Sequence, residues 1–154
     1  RMRMSGRASV DVEAPDAWRA ADSADPANGR PDILPDLELV GPQVGTGRPR
    51  MRVYVHRTAT SIDEESLTLL SRVRTRFPDA LIVACDIWPH PVWGEGRLVQ
   101  SARLVGDIAL AHDCYLFVGR DCVVCIEVDC PLSDLLSLED QIADIVAHTR
   151  PKVA

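Results

Sequence analysis

Lysine is almost missing from this chain of 154 residues: Lys152 is the only one, and arginine supplies the rest of the 17 cationic side chains. A Schiff-base lysine or the phosphate-gripping lysine of a Walker loop therefore has nothing in the body of the chain to supply it. Aromatic residues are also few, at 5%, and Trp18 is the only one before residue 50. No apolar run reaches the roughly 18 residues a membrane-spanning helix needs. No charged start leads into an apolar segment, so no signal peptide is expected. The five cysteines, Cys85, Cys114, Cys122, Cys125 and Cys130, are odd in number, which argues against a disulfide framework. The net charge is −6 with no basic stripe, so nucleic-acid binding is not expected. Neither a Gly-x-Ser-x-Gly elbow nor a Gly-x-Gly-x-x-Gly loop occurs. These absences suggest a cytoplasmic protein of bacterial or phage type, without a membrane segment.

What is present divides near residue 50. Residues 1–50 hold six of the 11 prolines and five of the nine glycines, without helical or strand periodicity. They read as an extended or disordered arm and linker. Within the arm, Ile33 to Val40 is apolar enough to dock on a neighbour. Residues 51–154 read as a folded domain. Met51, Val53 and Val55 alternate with polar neighbours, as in a strand. Ser61-Ile62-Asp63-Glu64 is a capping box, and Leu67, Leu70, Val73 and Phe77 follow at helical spacing until Pro78. Ala80 to Ala84 reads as a buried strand. Leu98, Ala102, Val105 and Ala109 suggest a second helix. Cys114 to Val118 and Cys122 to Val128 suggest further strands, and Ser137 opens a last helix. The order β-α-β-α-β-(β)-α implies an α/β fold: a small three-layer, Rossmann-like domain with a mostly parallel sheet.

In such a fold, ligands bind outside the carboxyl ends of the strands. One loop there offers His56, Arg57, Thr58 and Ser61 near a helix N-terminus, suited to an anion or equally to simple capping. A second, Asp86 to Glu95, offers Asp86, Trp88, His90 and Trp93, either to stack on a planar ligand or to cover core edges. The third segment holds Asp121, Cys122-Val-Val-Cys125, Glu127 and Asp129. A Cys-x-x-Cys can bind zinc or act in redox chemistry, but Val-Val between the cysteines favours a strand, which points them to opposite sides. No metal and no cofactor is expected. Glu127 and Asp129 share a strand face, which suits a divalent ion or, more commonly, a solvated edge strand.

The stretch GDIALAHDCYLFVGRDCVVCIEVDCPLS resembles the middle of the nucleoside 2-deoxyribosyltransferase-like family, over about residues 51–130. Asp113 matches the family's Asp at a helix end, and Asp121 and Glu127 have its Asp-to-Glu separation. Val123 and Val124 stand where the family has Gly-Thr. The resemblance implies Glu127 as nucleophile, Asp86, Asp113 or Asp121 orienting ribose hydroxyls, and Trp88 or Trp93 against the base. Two functions are thus expected in competition. One is a domain binding a nucleotide-like or phosphorylated small molecule, cleaving or transferring an N-glycosidic bond. The alternative is a non-enzymatic assembly or interaction protein, gripping a protein partner or a second copy through residues 33–40.

Overall fold

The apolar run from Cys122 to Val128 is the middle of the molecule, because both of its faces are covered. In the structure, a computed structural model describing residues 1–5, 10–21, 33–45, 47–57 and 60–152, the elements follow in this order. They are β1 (Met2–Ser5), β2 (Val10–Ala14), β3 (Arg19–Ala20), β4 (Leu37–Val40), β5 (Arg50–Arg57) and α1 (Ile62–Arg76). Then come β6 (Leu81–His90), β7 (Gly94–Val105), β8 (Ile108–Gly119), β9 (Cys122–Pro131), α2 (Leu132–Ala147) and β10 (Arg150–Pro151). Seven strands form one sheet in the order β3-β4-β5-β9-β8-β7-β6, and β1-β2-β10 form a smaller one. Every neighbouring pair is antiparallel.

This overturns the expected parallel three-layer α/β fold and its preceding arm. The decisive segment is the one whose spacing suggested a second helix. Val105 pairs with Ile108 across Gly106-Asp107, and Gly106 sits at φ +61°. Glycine at the first of two turn positions with positive φ closes a tight hairpin whose twist suits antiparallel strands. Residues 98–105 and 109 therefore lie on two strands rather than one helix. The loop expected from Asp86 to Glu95 is likewise mostly strand. His90 pairs with Gly94 around a three-residue turn, with Gly94 at φ +76°. Pro89 fits because β6 is an edge strand, where a missing N–H costs no ladder bond.

The described part of residues 1–50 is woven into the domain. β4 pairs with β5, Leu37 to Val40 are all buried, and Trp18 is fully buried. The piece expected to dock on a neighbour thus completes the chain's own sheet, with only Ile33 and Leu34 left exposed.

Two layers of side chains flank the large sheet. One core gathers Val12, Trp18, Leu39, Met51, Val53, Phe117 and Ile126 with Leu138, Ile142 and Ile145 of α2. The other packs Tyr54, Val99, Cys114, Leu116 and Cys125 under Leu69 and Val73 of α1. Helix α1 stands where the capping box put it: the Ser61 hydroxyl accepts from the Glu64 N–H at 3.2 Å. Helix α2 begins earlier than expected, at Leu132 directly after β9. No helix among the described residues is long and apolar enough to cross a membrane.

Candidate functional site

Strand β5 ends with Val55, His56 and Arg57, and its pairing with β9 sets Arg57 opposite Cys122. The β8–β9 turn, Arg120-Asp121, stands beside that end. Asp121 adopts φ 60°, a left-handed conformation that Asp tolerates better than most residues. Trp93 enters from the β6–β7 turn and lies nearly parallel to Phe117, with ring centroids 5.6 Å apart. Gly119 makes room for it: a Cβ there would sit 3.2 Å from the indole Cδ1 and Nε1. From the small sheet, Val10, Pro151 and Lys152 close the remaining side.

Together these residues line a cleft of about 510 Å³. Its rim carries Arg57, Arg120 and Lys152 against one carboxylate, Asp121, while its walls include Val10, Val55, Val124 and Trp93. A cationic rim on a chain of net charge −6 concentrates positive potential at one place. Of the residues singled out from sequence, the fold brings His56, Arg57, Trp93 and Asp121 together here. Arg120 could have been suspected from its place beside Asp121. Lys152 could not, because its position depends on β10 pairing with β2, far apart in sequence.

The other expected site residues lie elsewhere. Ser61 is the cap of α1, and Thr58 lies outside the described residues. Asp86 is exposed on β6, whereas Trp88 packs edge-on against Tyr115 and Phe117 at 5.3 and 5.8 Å. His90 is buried behind Trp93. Asp113 is buried on the α2 side of the sheet and accepts from Gln100 Nε2 at 3.2 Å; burial pushes its carboxyl above the usual range, against the pull of that bond.

Glu127 is on the opposite face from Asp113, under α1, and 1% exposed. Arg76 Nη1 donates to its Oε2 at 3.3 Å. Beside it runs a buried ionic chain. Arg52 donates to Asp129 at 3.1 Å and approaches Glu38 at 3.4 Å, and Asp129 accepts from His112 Nδ1 at 2.7 Å. Burial pushes the Asp129 carboxyl up, but the His112 bond and the charges of His112, Arg52 and Arg103 outweigh it and hold it below the usual range. The face shared by Glu127 and Asp129 is therefore a covered interior face of a central strand, not the solvated edge expected.

His112, Cys114 and Glu127 each bring one possible metal-ligand atom within 4.8 Å of the others. His112 Nε2 lies 3.3 Å from Cys114 Sγ, a distance that a thiol–imidazole hydrogen bond satisfies. The Cys125 hydrogen bond, burial and the nearby Glu127 and Asp129 carboxylates all push the Cys114 thiol well above its ordinary value, which disfavours the thiolate a metal requires. With Glu127 held by Arg76, the group reads as part of the ionic chain. Cys122 and Cys125 fall in opposite cores, so the Cys-x-x-Cys spacing does not form a two-sulfur site.

No family model matches this sequence, and no curated protein matches it. Solved structures do share its fold. LpqN, involved in cell envelope biogenesis of Mycobacterium tuberculosis, superposes with a TM-score of 0.67 at 11% identity, over 94% of this chain and 83% of LpqN. Cyanobacterial PsbP (CyanoP) from Synechocystis gives 0.66 at 12% identity, over 97% and 91%. The Ran-binding protein Mog1p of Saccharomyces cerevisiae gives 0.55 at 11% identity, over 92% and 89%.

The chain has a PsbP/Mog1-like fold.

At these identities the likeness concerns fold alone. It overturns the resemblance to the nucleoside 2-deoxyribosyltransferase-like family, and with it the Rossmann-like, nucleotide-binding reading. The Asp121-to-Glu127 separation is real, but one residue stands on a hairpin turn at the cleft and the other is sealed beneath α1. An antiparallel sheet also lacks the parallel strand ends that gather a dinucleotide site.

Proposed function

We propose that this domain is a non-enzymatic binding module that holds an acidic segment of a partner protein in the cleft around Trp93. The observation behind this reading is the rim of Arg57, Arg120 and Lys152 about an apolar floor, on a chain that is otherwise acidic. Arginine forks suit carboxylates, and Trp93 offers a flat apolar surface for an adjoining side chain. Among the described residues no catalytic constellation competes for the cleft: Glu127 and Asp113 lie outside it, and both are buried and hydrogen-bonded. Mog1p, described as a Ran-binding protein, is a precedent for partner binding on this fold. The test is fluorescence anisotropy with a labelled Glu/Asp-rich peptide that carries one aromatic residue. Binding should weaken with salt and fall by at least about tenfold in the Arg120→Glu/Lys152→Glu variant, the loss of about 1.4 kcal/mol. Equal affinity for the variant would overturn the reading.

A further inference from the structure

The outer edge of β6, from Leu81 to Ile87, carries a second interaction surface on residues that do not line the cleft. β6 is the terminal strand of the large sheet, and among the described residues no strand pairs with its outer side. It is ten residues long, Leu81 to His90, and its only ionised side chain is Asp86. Leu81, Val83 and Ile87 are 73%, 67% and 59% exposed, and Cys85 is exposed between them. Edge strands of monomers are commonly kept short or armed with charge, because an open apolar edge recruits another strand. This one is long and nearly uncharged, and its two blunting features, the irregularity between Ile82 and Ala84 and Pro89, leave the stretch between them open.

The sequence of β6 also selects its occupant. In an antiparallel pair, residues directly opposite point to the same side of the sheet. A two-fold axis perpendicular to the sheet therefore admits only registers in which one residue faces its own copy. The middle of β6 offers Cys85 or Asp86 for that place. Centring on Asp86 would set two carboxylates against each other, which is unfavourable. Centring on Cys85 sets Asp86 against Ala84 and Val83 against Ile87, so apolar residues meet on one face and no like charges meet. The register shift between Ile82 and Ala84 then falls at the end of the paired segment. Beyond Leu81, the same end of the sheet opens into a groove of about 460 Å³ lined by Asp79, Ala102, Arg103, Leu104 and Ala109 as well.

We propose that two copies of this chain pair antiparallel through their β6 edges, about a two-fold axis at Cys85, to make one continuous sheet.

The experiment uses the full chain. Sedimentation velocity over a concentration series should show a monomer–dimer equilibrium. Diamide, a two-electron oxidant, should join two facing Cys85 thiols in a disulfide, taking both thiol hydrogens to become the hydrazine. The antiparallel spacing of opposed Cα atoms, about 4.5–5.5 Å, suits that bond. The crosslinked dimer should vanish in Cys85→Ser. Val83→Lys/Ile87→Lys should sediment as a monomer with its Tm kept within a few degrees, since both residues are exposed. A chain that stays monomeric at every concentration would overturn the proposal, and would point to a foreign strand as the occupant. So would a dimer unaffected by the lysine pair, or one that diamide crosslinks equally well in Cys85→Ser.

Discussion

The imidazole of His90 ties the β6–β7 turn to the last turn of α2. Its Nδ1 accepts from the backbone N–H groups of Val92 and Trp93 at 3.0 and 3.2 Å, so the proton resides on Nε2, which donates to the Val146 carbonyl at 3.0 Å. The neutral ring thus spends both nitrogens on backbone, and it fixes the turn that carries Trp93 into the cleft.

Protonation of that ring should destabilise the fold. Burial pushes the imidazole below its ordinary value; the Val146 bond pulls it partly back, and the Arg150 charge pushes the same way as burial. A base whose pKa is lower folded than unfolded contributes stability that is complete above the unfolded value, about 6.5, and is lost as pH falls toward the folded value. The Tm should therefore drop between about pH 6.5 and 5. His90→Gln should be less stable at pH 8 but flatter across that range. Parallel Tm–pH curves for the two proteins would show that His90 is not the group responsible.

Glu127 should prove structural. Removing one member of a buried ion pair strands the other charge, at a cost of roughly 3–5 kcal/mol. Arg76 keeps some solvent access, with its side chain 17% exposed, so Glu127→Ala should cost about 3 kcal/mol in urea unfolding. Replacing both, Glu127→Leu with Arg76→Met, should recover much of that loss. Peptide binding at the cleft should be unchanged in the folded variants, because the cleft lies on other residues. Wild-type stability in Glu127→Ala would mean that the pair is not what holds β9 to α1.

Gly96 should be intolerant of any side chain. A Cβ there would lie 2.3 and 2.4 Å from Phe117 ring atoms and 2.6 Å from the Leu116 carbonyl oxygen. Overpacking of this kind usually costs about 1–3 kcal/mol, and here the obstacle includes backbone. Gly96→Ala should lose at least that much by chemical denaturation and should also displace Trp93, which stacks on the same Phe117 ring. A fully stable Gly96→Ala with unaltered tryptophan fluorescence would refute the packing described.

Local signals in the sequence were readable, and long-range pairing was not. Ser61 and the acids after it mark α1 because capping is a contact within one turn. Cys122 to Val128 read as a strand because Val-Val and the apolar residues about it favour extended backbone, although the Glu127 and Asp129 face reads as a solvated edge. Segment 98–109 mimics a helix because Leu98, Ala102, Val105 and Ala109 satisfy a helical spacing by coincidence. The Gly106-Asp107 pair, a standard two-residue hairpin signal between apolar residues, held the correct answer. His56, Arg57, Trp93 and Asp121 were each suspected separately, because polar and aromatic residues at strand ends and turns stand out. What joins them is antiparallel pairing between distant segments, which no local pattern encodes. Glu127 misled because a carboxylate spacing carries no record of its arginine partner, 51 residues away in Arg76.

The first 50 residues should be indispensable to folding, against their composition. Their prolines and glycines resemble a linker, yet β4 pairs with β5 from Leu37↔Val53 to Val40↔Arg50, and Val10, Val12 and Ala14 of β2 are buried in the α2-side core. Trp18 is wholly buried, with its Nε1 donating to Gln141 Oε1 at 3.0 Å. A chain starting at residue 51 would expose Met51, Val53 and the apolar face of α2 to water, at roughly 25 cal/mol for each Å² uncovered. For a domain stabilised by only about 5–15 kcal/mol, that exposure should abolish the cooperative melt seen by circular dichroism. Trp18→Ala supplies the graded version in the full chain, with an expected loss of about 3–5 kcal/mol. A truncated chain that still melts cooperatively near the full-length Tm would mean that β5 to β10 form a domain of their own, with the first 50 residues merely laid upon it.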